Sequence, residues 1–165
     1  MSSLAHTPSN WQWRDGVVPV GPAVVFDMDG VLSDAAGRQH YLDWPRRDWD
    51  AFFEACGEDQ VIDEVARLLD LLDPALRVVL LTARPLRVRP QTLGWLERYR
   101  LRWDLLVMRP MGDYSAARQF KRDVVDDLRS MGLDLRLAFE DDQRNVDMFH
   151  AAGVPCVYIH SGYYD

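Results

Sequence analysis

The stretch VVFDMDGVLSD, residues 24–34, decides how this chain is read. Three apolar residues run straight into Asp27, and Asp29 and Gly30 follow at once. The apolar run reads as a buried strand. Two carboxylates at its end repel one another, and a buried carboxylate without a partner is costly. Either the motif is a solvated turn, or something positive belongs beside it.

Working outward, apolar runs of strand length recur at AVVFDM (23–28), RVVLLT (77–82), DLLVM (104–108), LRLAFE (135–140) and PCVYIH (155–160). Several are apolar at consecutive positions, as strands covered on both faces are. Helical periods separate them. Trp49, Phe52, Phe53 and Cys56 form one stripe; Ile62, Val65, Leu69 and Leu72 another. Leu93, Leu96 and Tyr99 give a third, and Phe120, Val124, Leu128 and Met131 a fourth that Gly132 should stop. A short fifth helix carries Val146 and Phe149. Alternating strands and helices give an α/β fold with right-handed crossovers: a Rossmann-like three-layer sandwich around a mainly parallel, five-stranded sheet. Residues 1–22 read as an irregular lead-in, with Trp11 and Trp13 packing back onto one domain over residues 23–165.

Composition narrows the function. The chain has 165 residues, 27% charged and 48% hydrophobic, as expected of a soluble domain with a real core. A formal net charge of −7 argues against broad, nonspecific coating of nucleic acid. Cys56 and Cys156 are too few and too far apart for a disulfide framework. No apolar stretch suits a bilayer and the start does not resemble a signal peptide, so a cytoplasmic protein with no membrane association is expected.

In a parallel sheet, ligands bind beyond the carboxyl ends of the strands. Asp27 and Asp29 end the first run, Thr82 and Arg84 follow the second, and Glu140, Asp141 and Asp142 end the fourth. Three strand ends thus converge on one crevice rich in carboxylates. A hard cation such as magnesium would offset their repulsion and attract a phosphate. Asp27 and Asp141 are the best side-chain ligands, with the backbone carbonyl of Asp29 as another. A carboxylate in that position can also serve as a nucleophile that forms an aspartyl-phosphate. Asp29 can reach the same space as an acid/base group. Thr82 can donate to a phosphate oxygen, and Lys121 can supply fixed positive charge.

Together these motifs, DMDG (27–30), Thr82 in LLTAR, Lys121 and EDDQRN (140–145), resemble the haloacid dehalogenase superfamily of phosphohydrolases. That resemblance implies Asp27 as nucleophile, Asp29 as general acid/base, Thr82 and Lys121 as phosphate-binding, and Asp141 as a magnesium ligand. The fourth motif has two registers, Asp141 with Asn145 or Glu140 with Asp141, and Asp142 belongs to the same acidic shell. TARPLRVRPQTLGWL, MRPMGDYSAARQFKRDVV and DDQRNVDMFHAAGVPCVYIHSGYYD further resemble the phosphatase domain of phage polynucleotide kinase/phosphatase enzymes. By that likeness Arg84 binds phosphate and the substrate is a nucleic-acid end with a 3′-phosphate. A nucleotide or small metabolite is the alternative substrate, and a noncatalytic binding module the alternative class. No GxxxxGK(S/T) loop for ATP is present, so a kinase or ligase would be a separate partner.

Neither interval between the motifs has room for a large cap domain, so an open crevice is expected. Arg87, Arg89, Arg118 and Arg122 read as a solvated face. Trp44, Trp49, Phe52 and Phe53 read mostly as core, with Trp44 beside Pro45 the candidate for base stacking.

Overall fold

In the computed structural model, which describes residues 7–18 and 20–165, each apolar run is a strand whose alternate side chains enter two different cores. Strand β1 spans Trp11–Trp13 and β2 Gly21–Phe26. A two-stranded ribbon of β3 (Ser33–Asp34) and β4 (Gln60–Val61) encloses helix α1 (Trp49–Glu54), and α2 (Asp63–Leu71) follows. Then come β5 (Arg77–Pro85), α3 (Arg89–Arg98), β6 (Leu105–Arg109), α4 (Ala117–Met131), β7 (Leu133–Glu140), α5 (Gln143–Ala151) and β8 (Cys156–Tyr158).

The main sheet has the order β1-β6-β5-β2-β7-β8. All neighbours are parallel except β1, which runs antiparallel to β6. The sheet therefore has six strands, not five. The extra one comes from the lead-in, which is not irregular at Trp11–Trp13. Only three residues long, this strand has no long apolar run to betray it. Its two tryptophans are buried in the core, and its pairing begins where the Asn10 side chain donates to the Met108 carbonyl at 2.8 Å. Residues 1–6 and Pro19 of that lead-in lie outside the described residues.

Ala23, Val25, Val79, Leu81, Leu105 and Val107 face α4 and α5; Val24, Phe26, Val78, Leu80, Leu106 and Met108 face α2 and α3. That two-sided burial explains why the runs are unbroken. Pairing of β2 with β7 skips one residue, Arg136, whose side chain is exposed. This bulge restores the alternation so that Phe139 stacks on Phe26, with ring centres 4.3 Å apart.

β2 lies at the centre, and the connection from β6 to β7 crosses it. The sheet thus reverses its order at the end of β2, where a crevice opens. The ribbon, α1 and short 3-10 turns form a small excursion on one side of that crevice, and no large cap is present among the described residues.

Candidate active site

Asp27 is the first residue past β2, and its N–H donates to the Phe139 carbonyl of β7 at 3.0 Å. The chain is still bound to the sheet at this point, so the carboxylate has a fixed origin. Lys121 projects from the buried face of α4, and its Nζ lies 3.1 Å from Asp27 Oδ1. The same ammonium bonds Glu140 Oε1, while Glu140 Oε2 accepts from the N–H of Asp141 at 3.2 Å. Lys121 and Glu140 are each 1% exposed. Burial works against the charge of Lys121, but Asp27 and Glu140 outweigh it and raise its pKa, so it stays charged.

Asp141 is different. Both carboxylate oxygens are buried and neither has a hydrogen-bond partner. Oxygens of Asp27, Glu140 and Asp141 all lie within 4.8 Å of one another. Burial first, and then the charge of Asp27, push the Asp141 carboxyl up to about 9. The backbone beside it is shaped to match. Gly30 adopts φ +83°, and a Cβ there would sit 2.1 Å from Asp141 Oδ2. These are the features of a cation cradle: two carboxylates pressed together, one lacking any donor, against a backbone with no room for a side chain. The residues therefore fit magnesium, with Asp27 and Asp141 as the side chains that would hold it.

The rest of the fourth motif divides by role. Asp142 caps α5, accepting from the Arg144 N–H at 3.0 Å and pairing with its guanidinium at 2.9 Å. Both of its oxygens are thus engaged at the start of α5. Asn145 lines the crevice with an orphaned buried Oδ1, whereas Glu140 already has partners on both oxygens.

Thr82 lies within β5 and is 1% exposed. Its Oγ1 accepts from the Arg84 N–H at 3.1 Å, so its own proton remains available to a phosphate oxygen. Arg84 reaches Asp29. Its guanidinium is fully buried and donates to Asp29 Oδ1 through Nε at 3.0 Å and Nη2 at 2.6 Å. It also donates to Ser33 and Thr92. The guanidinium is thus committed to Asp29 at the base of the crevice.

Asp29 is held twice, because Arg38 Nη2 also donates to Oδ1 at 2.8 Å. Burial would raise its pKa, but Arg84 and then Arg38 outweigh burial and hold the carboxyl below its ordinary value. All these bonds fall on Oδ1, which leaves Oδ2 for the crevice. Arg38 is in turn fixed by Asp59, which accepts from Nε at 2.8 Å and Nη2 at 2.6 Å and from Ser33 Oγ at 2.5 Å.

Arg38, Asp59 and Ser33 were not legible in the sequence. Arg38 sits in a 3-10 turn and Asp59 in a loop end, neither with a period or a partner at local spacing. A charge at a position that folds to 3% or 6% exposure leaves no local mark.

The site opens into a crevice of about 1280 Å³ lined by Asp27, Asp29, Thr82, Arg84, Lys121 and Asn145 at its base. A model of the polynucleotide kinase PNKP phosphatase domain matches residues 21–164. The chain belongs to that family. It is accordingly a phosphatase domain of the haloacid dehalogenase kind, and such phosphatases generally use magnesium. A comparison with curated proteins finds no match.

Among solved structures, a chain of the Pnkp1/Rnl/Hen1 RNA repair complex is 24% identical, with a TM-score of 0.73 over 94% of this chain. This chain spans only 48% of that one. The class C acid phosphatase from Bacillus anthracis is 15% identical (TM-score 0.60, 87% of this chain and 67% of that one). A haloacid dehalogenase-like hydrolase from Streptococcus pneumoniae is 14% identical (TM-score 0.58, 89% and 88%). At these identities the likeness is one of fold. No helix among the described residues is long and apolar enough to cross a membrane.

Proposed function

We propose that this domain is a magnesium-dependent phosphomonoesterase that removes a terminal 3′-phosphate from a nucleic-acid end through an aspartyl-phosphate on Asp27. The observation that carries the chemistry is the pairing of Asp27 with Lys121 at 3.1 Å, beside an Asp141 whose two buried oxygens have no donor.

In this reading Lys121 aims Asp27, and its charge faces the phosphoryl group as the bond from Asp27 forms. Thr82 donates to a phosphate oxygen. Magnesium, when bound, neutralises charge shared between the carboxylates and the phosphate. Asp27 and Asp141 would hold it, with the Asp29 carbonyl and Asn145 Oδ1 as further oxygens. The Asp141–Asn145 register is preferred because Glu140 is committed to Lys121. Asp29 Oδ2 handles protons: it gives one to the departing alkoxide, then takes one from the water that opens the aspartyl-phosphate. Arg38 and Arg84 fix its orientation through Oδ1. They also favour its ionised form, which suits the second, base-catalysed half, whereas the first half draws on the protonated fraction.

The polymer end is favoured over a free nucleotide by the family match and by the open crevice. A kinase or ligase as partner belongs to the same proposal, supported by the likeness to a chain that works within an RNA repair complex. Kinetics with and without magnesium on a 3′-phosphorylated oligonucleotide and the matching 3′-mononucleotide test both parts. The polymer is expected to have the higher kcat/KM, and Asp27→Asn to lose turnover and phospho-enzyme together. A higher kcat/KM for the mononucleotide would make the domain a nucleotidase instead, and turnover in demetallated protein would remove the metal from the scheme.

A further inference from the structure

The two sides of the crevice come from opposite faces of the sheet, and each ends in an exposed aromatic ring. On one side, α1 places Trp49 against Phe53 (ring centres 5.8 Å, planes 25° apart) and edge-on to Phe52. Phe52 is buried with the Arg38 guanidinium 4.4 Å over its ring, so this wall rests on the group that holds Asp29. Trp49 itself is 48% exposed, which a core residue would not be. On the other side, the loop after β6 is fixed from within. Arg109 donates to the Ser115 carbonyl at 2.6 Å, and Asp113 accepts from the Ser115 N–H at 2.9 Å. That braced loop holds Tyr114 94% exposed. Trp44 is exposed too, but it does not line the crevice.

The charge lining the crevice does not explain how a polyanion would be held. Six carboxylates and six cationic side chains line it. On its lips Arg87 pairs with Asp50 and Glu54, Arg109 with Asp113, and Arg144 with Asp142. Arg47 is the one lip cation outside such a pair among the described residues. A phosphodiester backbone finds no free positive track. The polar lips cancel, and two half-free aromatic faces remain.

We infer that Trp49 and Tyr114 are the platforms on which the nucleobases next to the terminal phosphate stack, and that stacking rather than backbone charge holds the single-stranded end. This rests on the proposed activity and adds the basis of its substrate recognition. Base–aromatic stacking is tolerant of sequence, because every base has a π-face. Both rings can contribute at low entropic cost, since one is packed on Phe53 and the other stands on a braced loop.

The test is steady-state kinetics on a 3′-phosphorylated tetranucleotide, the same strand abasic at its last two positions, and glycerol phosphate. Trp49→Ala and Tyr114→Ala should each lower kcat/KM on the tetranucleotide by roughly 5- to 100-fold. The abasic strand should be poor for the wild type and insensitive to both changes, and glycerol phosphate should be unaffected. Trp49→Phe should restore most of the loss. Tyr114→Ala cannot be dismissed as misfolding, because the side chain is almost wholly exposed. The salt dependence of kcat/KM should be shallow, with a log–log slope smaller in magnitude than about 1. If the wild type cleaves the tetranucleotide and both alanine variants match it, or the slope exceeds about 2, stacking is refuted and the activity stands. If the wild type cleaves only glycerol phosphate, the activity proposal falls and the platforms fall with it.

Discussion

Gly30→Ala asks whether the backbone after Asp29 exists to make room for Asp141. Two terms separate cleanly. The first is conformational. Alanine at φ +83° is strained by about 1–2 kcal/mol. In a chain of this size that lowers the melting temperature by roughly 2–8 °C. The second is steric. The new methyl would lie 2.1 Å from Asp141 Oδ2 and 2.7 Å from its Cγ, with Ser161 Cβ at 3.0 Å closing the other side. Ordinary contact requires Asp141 to retreat by more than about 1 Å, and misplacement on that scale can cost about 10²-fold in rate. Moving Asp141 away from Asp27 also relieves repulsion between carboxylates, so stability should fall no further than the first term demands. The expected signature is a modest loss of stability with a hundred-fold loss of kcat and an increased magnesium requirement.

Gly16→Ala supplies the control. Gly16 adopts φ +99° with nothing within 4 Å of a Cβ, so it carries the conformational term alone. It should melt lower by a similar amount and keep full activity. Phosphate release across a magnesium titration, with thermal melts of all three proteins, makes the comparison. A Gly30→Ala enzyme that retains half the wild-type kcat, at an unchanged magnesium midpoint, would show that the position of Asp141 does not matter to the chemistry.

Three further outcomes are expected. Lys121→Met strands Glu140 and Asp27 without their shared cation, and should cost about 3–5 kcal/mol at neutral pH. The loss should shrink as pH falls and Glu140, already shifted up by burial and by Asp27, takes a proton; denaturant melts at pH 5 and pH 8 check this. Asp59→Asn removes the carboxylate that fixes Arg38, so kcat should drop at temperatures where circular dichroism shows the fold intact, and an unchanged kcat would reduce Asp59 to a structural role. Burial, then the nearby Glu140 charge, raise the Cys156 thiol to about 12, so the folded protein should resist disulfide reagents at pH 8 and react promptly once unfolded.

The parts of this molecule that were legible beforehand share one property: their role is set by neighbours along the chain. Unbroken apolar runs such as 78–81 announce strands buried on both faces, because both faces need apolar side chains. Asp27, Asp29, Thr82 and Asp141 stand at the ends of those runs, so finding the strands also located the crevice. What the sequence did not reveal depends on partners far along the chain. Arg84 meets Asp29 across 55 residues, and its planar, fully charged head suits a buried carboxylate as well as it suits a phosphate. Position after a strand therefore could not choose between the two. β1 is three residues long and draws its stability from β6, nearly a hundred residues away. Trp49 has the spacing of a core helix residue, yet its ring stays half exposed beside the crevice.

A chain with a net charge of −7 repels a polyanion at a distance, and the arrangement of charge in the site meets that difficulty locally. Lys121 and Arg84 line the base of the crevice but are each 1% exposed and bonded to a carboxylate, so neither offers an exposed charge to an approaching strand. Beside them Asp141 lacks a cation, and it lies with Asp27 where magnesium fits. Attraction for phosphate is thus confined to the reacting group. A flanking strand would meet neutralised arginines and aromatic rings. Under such an arrangement, added salt should weaken general repulsion and any residual attraction together, whereas removing magnesium should remove the local attraction outright. Discrimination between a phosphorylated and an unphosphorylated end would then depend on the metal, while discrimination between a base-bearing and an abasic strand would depend on Trp49 and Tyr114. Separate responses of those two preferences to chelation and to aromatic substitution are what this division of labour requires.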